Sequence, residues 1–444
     1  MHLVILGGGL AALSLAYFVQ NSDRFSKITI LEKEAHLGGL CRSFNVSDMI
    51  YDIGPHIIFS KDKEILDWMN GLLVGNLNRL RRSNRILHKG VFVQYPFEND
   101  LSKLSEDERN YCVNTFIHNP YEGYHSQNML QFFLKTFGEG ITNTYLRPYN
   151  EKIWKFDPVF MDTQMVDRIP KPPKEDILRS AAGETVDGYV HQLYFTYPAQ
   201  GGTQAIIEAI QQRLTDKVTL QTNSNVTHIT KKNGQFLIDA GITSLSADAV
   251  ISTIPAPLLP EIYKPEIRET PEEVRRAAAS LKFNSIIIAV INVKLDRAGD
   301  NFAFMVADRN VIFHRLSKLD FLGESYHKSD SATYMVEITY RKNDLIDYAK
   351  DRDVLDQVIQ GLKTVGFIDS PADVNFTDIR RFEYAYVIYD LEHRRNMDMV
   401  KDWYSQQGII LHGRFGAFEY WNMDAVIRQS MLLAERCGAQ WPNP

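Results

Sequence analysis

Cysteine is scarce: Cys41, Cys112 and Cys437 are the only three, odd in number and far apart. No CxxC pair exists, which argues against a disulfide framework and against a cysteine zinc site. It also points to a reducing compartment. Long apolar runs are lacking too. Leu3 to Val19 comes nearest to the roughly 18 residues a membrane span needs, but Gly7, Gly8 and Gly9 interrupt it. No membrane span is expected, and nothing ahead of the first strand reads as a signal peptide, so the expected location is the cytoplasm. Positive charge is not in excess. The formal net charge of -6 argues against a nucleic-acid partner, while leaving room for a local basic pocket and a small anion. Internal repeats and low-complexity stretches are absent. At 444 residues the chain is long enough for two or three domains and for a core that needs no metal.

Hydrophobic periodicity sketches the elements. Residues 2–6 and 28–32 read as short β-branched strands around a helix at 10–21. Helices are predicted at 61–74 and 125–140. Pro170, Pro172 and Pro173 mark a basic loop or linker. Residues 218–255 read as successive strands with Gly234 at a turn. Further strands are predicted at 283–293, 302–306, 311–315 and 332–340. Ile409 to His412 returns to a buried strand, followed by Gly413 and a helix at about 423–437. The fold class is α/β. A Rossmann-type domain is assembled from 1–60, 196–262 and 405–444. A helical segment at 61–155 and an antiparallel-sheet domain from 156–195 and 263–404 form the substrate side.

The N-terminus carries the most specific local signal. Val4-Ile5-Leu6 leads into Gly7-Gly8-Gly9-Leu10-Ala11-Ala12, a G-x-G-x-x-A turn between a strand and a helix. Gly7 allows the tight turn, Gly9 lets backbone approach a pyrophosphate at the helix N-terminus, and Ala12 lets helix and strand pack closely. Glu32 ends the second strand 23 positions after Gly9, where an acid can accept a ribose hydroxyl. Gly38-Gly39 and Arg42 follow, then Asp52-Ile53-Gly54-Pro55-His56.

This layout resembles the flavoprotein superfamily of amine oxidases, protoporphyrinogen oxidases and UDP-galactopyranose mutases. Ala247 to Pro255 resembles its return strand, and the Val226 region its adenine-side segment. The resemblance is to the mutase branch in particular, through short blocks in order along most of the chain. These are Gly54-Pro55-His56, Tyr95-Pro96-Phe97-Glu98-Asn99, Tyr149-Asn150-Glu151-Lys152-Ile153-Trp154, Pro198-Ala199-Gln200-Gly201-Gly202-Thr203, and Gly413-Arg414-Phe415-Gly416 with Tyr420. Arg168, fourteen positions after Trp154, and Arg315 fall where the family has two arginines for a diphosphate.

The resemblance implies bound FAD, with a reduced flavin whose N5 attacks the anomeric carbon of a UDP-sugar, and NAD(P)H as a candidate electron donor. It implies flavin contacts from Gly7, Gly9, Leu10, Ala11, Ala12, Glu32, Lys33, Gly39, Leu40, Gly54, Pro55, His56, Val226, Gly413, Arg414, Asn422, Met423 and Asp424. It implies substrate contacts from Tyr95, Phe97, Tyr149, Trp154, Tyr386, Tyr420 and Asn422, with His56, Arg168 and Arg315 at the chemistry. Two planar guanidinium forks suit a diphosphate, and aromatic faces suit uracil and sugar. The resemblance also implies a part in making surface-glycan precursors. Assembly is left open, with a homodimer as one option.

The chain departs from the bacterial pattern at Asn422, where that pattern has aspartate, and from the eukaryotic one at Phe304-Met305, where a tyrosine stands. A net-redox oxidase is the competing reading, and a non-catalytic flavin-bound partner is a second. Plainer roles compete residue by residue. His56 can be a loop histidine, Trp154 core, Arg168 and Arg315 surface ion pairs, and Tyr386 with Tyr389 one face of a sheet. Arg81-Arg82 reads as a solvated pair, and Cys41 beside Arg42 as a mildly acidic thiol with no redox partner.

Overall fold

The computed structural model describes residues 1–166, 169, 171–186, 193–266 and 269–438. The strand His2–Leu6 is apolar at nearly every position because it sits mid-sheet with both faces covered. It pairs in parallel with Lys27–Leu31 on one side and Ala249–Ser252 on the other. Val218–Gln221 and Ile409–Leu411 close the two edges, also in parallel. The sheet therefore gathers strands from the beginning, middle and end of the chain.

The crossover helix Leu10–Val19 is buried along almost its whole length. One side packs on the sheet; on the other, the Met423–Arg436 helix covers it, and the Ser14 hydroxyl donates to Ser430 Oγ at 2.9 Å. A helix enclosed on both sides has no polar face, which explains the unbroken apolar start. Val226–Lys232, Gln235–Ala240 and Thr243–Ala247 form an antiparallel meander. Its first turn uses Asn233 and Gly234, both at positive φ, as tight hairpins require.

The second large sheet has seven strands. Their order is Val374–Ile388, Lys282–Val293, Ala332–Tyr340, Arg315–Lys318, Ala303–Val306, Asn84–His88 and Val91–Gln94. Neighbours are antiparallel except Ala303–Val306 with Asn84–His88. Two ribbons complete the strands, Ser43–Val46 with Met49–Asp52 and Leu77–Arg81 with Tyr194–Pro198.

Two expectations are corrected. The strand predicted at 311–315 begins only at Arg315. The apolar alternation of Val311 and Phe313 instead packs a loop beneath the Asp351–Thr364 helix, and a Cβ on Gly361 would lie 2.9 Å from the Phe313 ring. The segment 61–155 is not helical throughout. Three strands lie between 77 and 94, and the Lys89-Gly90 turn, with both residues at positive φ, folds two of them onto the edge of the second sheet. The signal was the short alternation of Ile86 and Val93 around a glycine turn.

Candidate functional site

A cavity of about 1320 Å³ runs between the parallel sheet and the seven-stranded sheet. One end is built by the glycine turn. Gly7 takes φ +90, and a Cβ there would meet Thr253 Oγ1 at 2.7 Å. Gly8 is as constrained, since a Cβ would stand 2.3 Å from Leu37 and 2.9 Å from Glu32. Gly9 is open towards the cavity, its nearest non-local neighbour being Gly39 at 3.9 Å. Gly38 and Gly39, both at positive φ, lay a second strip of backbone beside it.

Glu32 is fixed by two backbone donors, Gly8 N–H to Oε2 at 2.7 Å and Glu34 N–H to Oε1 at 2.9 Å. Arg42 is anchored through Nε to Gly39 O at 3.0 Å. A helix N-terminus, side-chain-free backbone and a nearby arginine make an anion cradle. Ala12 and Gly413 sit behind this wall. Ala12 is fully buried, and a Cβ on Gly413 would lie 2.5 Å from that of Ala11.

Midway along the cavity stand Gly54, Pro55 and His56. Burial, then the charges of Arg414 and Arg315, push the His56 imidazole down to about 4. His56 is therefore neutral at pH 7, and its Nδ1 is buried without a partner. Arg414 donates from Nη1 to Trp421 O at 2.6 Å and from Nη2 to Ala385 O at 2.9 Å. Its guanidinium lies 4.3 Å over the Tyr420 ring, and its Nε has no partner. Cys41 lines the wall, but burial and the Asp52 charge push its thiol up to about 12. It is a protonated packing residue and not an acidic thiol.

The far end is charged and aromatic. Arg315 binds Glu337 through both Nε and Nη2, at 2.5 Å each. Glu337 is fully buried, and Tyr386 also donates to it at 3.2 Å. Burial alone would push the Arg315 guanidinium down; Glu337 outweighs that and holds it well above its ordinary value. Tyr95, Tyr386 and Tyr420 line this end with Arg82 and Met305.

The sequence-derived residues thus divide. Gly7, Gly9, Leu10, Ala11, Glu32, Lys33, Gly39, Leu40, Gly54, Pro55, His56, Val226, Arg414, Asn422, Met423 and Asp424 line one cavity with Tyr95, Arg315, Tyr386 and Tyr420. Trp154 stands one layer back, its ring 5.9 Å from Tyr386 and 5.5 Å from Tyr420, with Nε1 on Asn150 Oδ1 at 2.9 Å. Tyr149 stacks on Tyr145 in that same layer. Phe97 does not reach the cavity: it is fully buried and stacked on Tyr145 at 4.9 Å, so its place is packing. Arg168 lies outside the described residues.

Two residues at the far end were missed. Arg82, taken with Arg81 as solvated, turns into the cavity while Arg81 faces water. Glu337 left a legible trace, a lone carboxylate in the otherwise apolar and β-branched run Ala332–Tyr340.

The residues present fit a flavin dinucleotide. The cradle offers backbone N–H groups and space where a Cβ would intrude, and His56 Nδ1 and Arg414 Nε are buried donors or acceptors left without partners in the same cavity. Among the described residues no group of three His, Cys, Asp or Glu is arranged to hold a metal ion, and no helix is long and apolar enough to cross a membrane.

A crystal structure of reduced UDP-galactopyranose mutase superposes with a TM-score of 0.89 at 24% identity, covering 98% of this chain and 95% of that one. A protein assigned as a protoporphyrinogen oxidase from Exiguobacterium sp. 255-15 gives 0.77 at 17% identity, over 98% of both chains. A putrescine oxidase with a redesigned cofactor site gives 0.65 at 14%, over 99% of both. These likenesses show a shared fold. The family model for flavin containing amine oxidoreductases matches residues 11–396, so the chain belongs to that family and is an FAD-dependent enzyme.

Proposed function

We propose that this enzyme is a nucleotide-sugar mutase of the UDP-galactopyranose mutase kind, interconverting the pyranose and furanose forms of a UDP-sugar without net redox change. The observation that supports this most is the far end of the cavity. Arg82 and Arg315 converge there with Tyr95, Tyr386 and Tyr420, and Arg414, midway along the cavity, lies over the Tyr420 ring. A nucleotide sugar offers a diphosphate for the arginines and flat or hydroxylated groups for the tyrosines. An amine is cationic at neutral pH; Glu337 offsets the Arg315 charge, but Arg82 and Arg414 would still repel an amine. The likeness to the UDP-galactopyranose mutase fold runs the same way.

The chain's own residues divide the work. The turn Gly7–Gly9 with the Leu10–Val19 N-terminus would hold the dinucleotide's pyrophosphate, and Glu32 its ribose. Gly54, His56 and Arg414 would stand along the ring system. When bound in its reduced form, the flavin supplies the nucleophilic nitrogen for the anomeric carbon. Arg315 and Arg82 would hold the diphosphate as its bond to the sugar breaks and reforms, with Arg168 as a further candidate. Glu337 fixes the angle of Arg315, and Trp154 holds Tyr386 and Tyr420 upright. His56 is neutral at working pH and can exchange a hydrogen bond without adding charge. NAD(P)H is the proposed reductant, and surface-glycan precursor synthesis the proposed context.

The test is turnover. UDP-galactofuranose is incubated with the FAD-loaded protein, oxidised or dithionite-reduced, and separated by HPLC. Conversion in the reduced sample alone is expected. A protein that instead consumes oxygen with an amine or porphyrinogen and ignores UDP is a net-redox oxidase, and the reading fails.

A further inference from the structure

A second cavity, of about 550 Å³, lies on the other side of the helix Arg147–Trp154, between it, the loop at 307–312 and the helix Asp351–Thr364. Two lysines at the end of the first helix face it. Lys152 is 8% exposed. Its ammonium donates to Val306 O at 2.9 Å and Asp308 O at 2.7 Å. An ammonium has three donors, so one is left for the cavity. Lys155 is half-buried and held at φ +49; its backbone N–H donates to Glu151 O at 3.1 Å, while its ammonium makes no hydrogen bond or ion pair among the described residues.

Arg309 brings a third cation and Glu151 the single carboxylate of the lining. Glu151 is already committed, to Arg147 at 2.7 Å and to Arg309. Asp308 and Asp344 draw on Lys152 and Lys155 respectively, but neither faces the cavity. The amides of Asn310, Gln357 and Gln360 stand at the rim.

A buried and a half-buried like charge beside an open space are unfavourable unless something negative joins them. Burial, and then Lys155, push Lys152 down to about 7. We propose that this cavity binds a small multivalent oxyanion, whose acidic groups are held by Lys152 and Lys155 and whose polar remainder meets the rim amides.

Such a ligand would act on the catalytic cavity without entering it. The same helix carries Tyr149 and Trp154, and the Lys152 carbonyl accepts from Thr339 Oγ1 at 3.2 Å, two residues beyond Glu337. Binding here goes beyond the mutase reading and does not depend on it.

The test is hydrogen exchange on the FAD-loaded full chain, with and without millimolar inorganic pyrophosphate or, separately, citrate. The first arm reports a phosphate ligand and the second a polycarboxylate. Slower exchange in residues 147–155 and 351–364 with either probe is expected. Lys155→Ala should weaken that protection about tenfold in probe concentration, the loss of one charge-assisted contact. Lys155 fills no core position, so the variant's thermal midpoint should match the wild type. No slowing with either probe overturns the proposal. So does protection that persists unchanged in Lys155→Ala, which would seat the anion elsewhere.

Discussion

Removing one partner of the Arg315–Glu337 pair should be costly, and removing both much less so. Glu337 is fully buried, on a central strand of the second sheet. Its two oxygens bind Arg315, and Tyr386 adds a third donor. Taking away one member of a buried pair leaves an uncompensated charge and costs roughly 3–5 kcal/mol. Arg315 retains 26% side-chain exposure towards the cavity. Water can therefore reach one side of the pair, and the lower end, about 3 kcal/mol, is expected for Arg315→Met. Glu337→Met should cost a similar amount, because it strands the arginine. The double variant replaces both charges with apolar side chains of similar length, and apolar replacement of a buried pair is often near neutral. It should thus recover most of the loss: single costs near 3 kcal/mol each and a double variant within about 1 kcal/mol of wild type give a coupling energy of about 5 kcal/mol. The assay is urea unfolding of the FAD-loaded protein, wild type and three variants, with the slope checked for constancy. An Arg315→Met protein within about 1 kcal/mol of wild type would refute the reasoning. The pair would then be an ordinary solvated ion pair, and Arg315 would be free to swing.

Arg82→Ala should weaken UDP binding by about 1.5–3 kcal/mol, roughly 10- to 100-fold, as measured by calorimetry, because it removes a charged donor from the far end. Gly8→Ala should lower the flavin absorbance recovered per chain, since its Cβ would overlap Leu37 and Glu32; the overpacking costs about 1–3 kcal/mol. His56 has a folded value near 4, below its ordinary 6.5. The stability this represents is present above about 6.5 and is lost as pH falls towards 4. His56→Gln should therefore flatten that part of the stability profile. Trp154→Phe keeps a ring against Tyr386 and Tyr420 but strands Asn150 Oδ1, at a cost of about 1 kcal/mol by thermal unfolding.

The parts of the site legible in the sequence are those the backbone makes locally. Gly7, Gly9 and Glu32 belong to one βαβ unit, and a turn that forbids side chains leaves its mark as glycine. His56 and Arg414 were found because each sits in a short block beside such a turn. The far end was harder to read. Arg82, in the connection just before the strand Asn84–His88, and Arg315, which opens the strand Arg315–Lys318, are more than two hundred residues apart, and the seven-stranded sheet brings them together. Nothing local distinguishes Arg82 from its exposed neighbour Arg81. Glu337 could have been found, since a lone carboxylate in an apolar strand must have a partner. Phe97 was misplaced because an aromatic residue in a motif packs as readily as it binds. The strand at Arg315–Lys318 was set too early because Val311 and Phe313 alternate like a strand while serving a helix.

The central claim is that a reduced flavin, held beside three arginines, rearranges a nucleotide sugar without consuming electrons. The most direct measurement is HPLC of UDP-galactofuranose after incubation with the dithionite-reduced and the oxidised protein, with the flavin spectrum recorded before and after. The account predicts UDP-galactopyranose from the reduced protein alone, over many turnovers, with the flavin still reduced at the end. No conversion, together with no displacement of any nucleotide sugar by UDP, would contradict it.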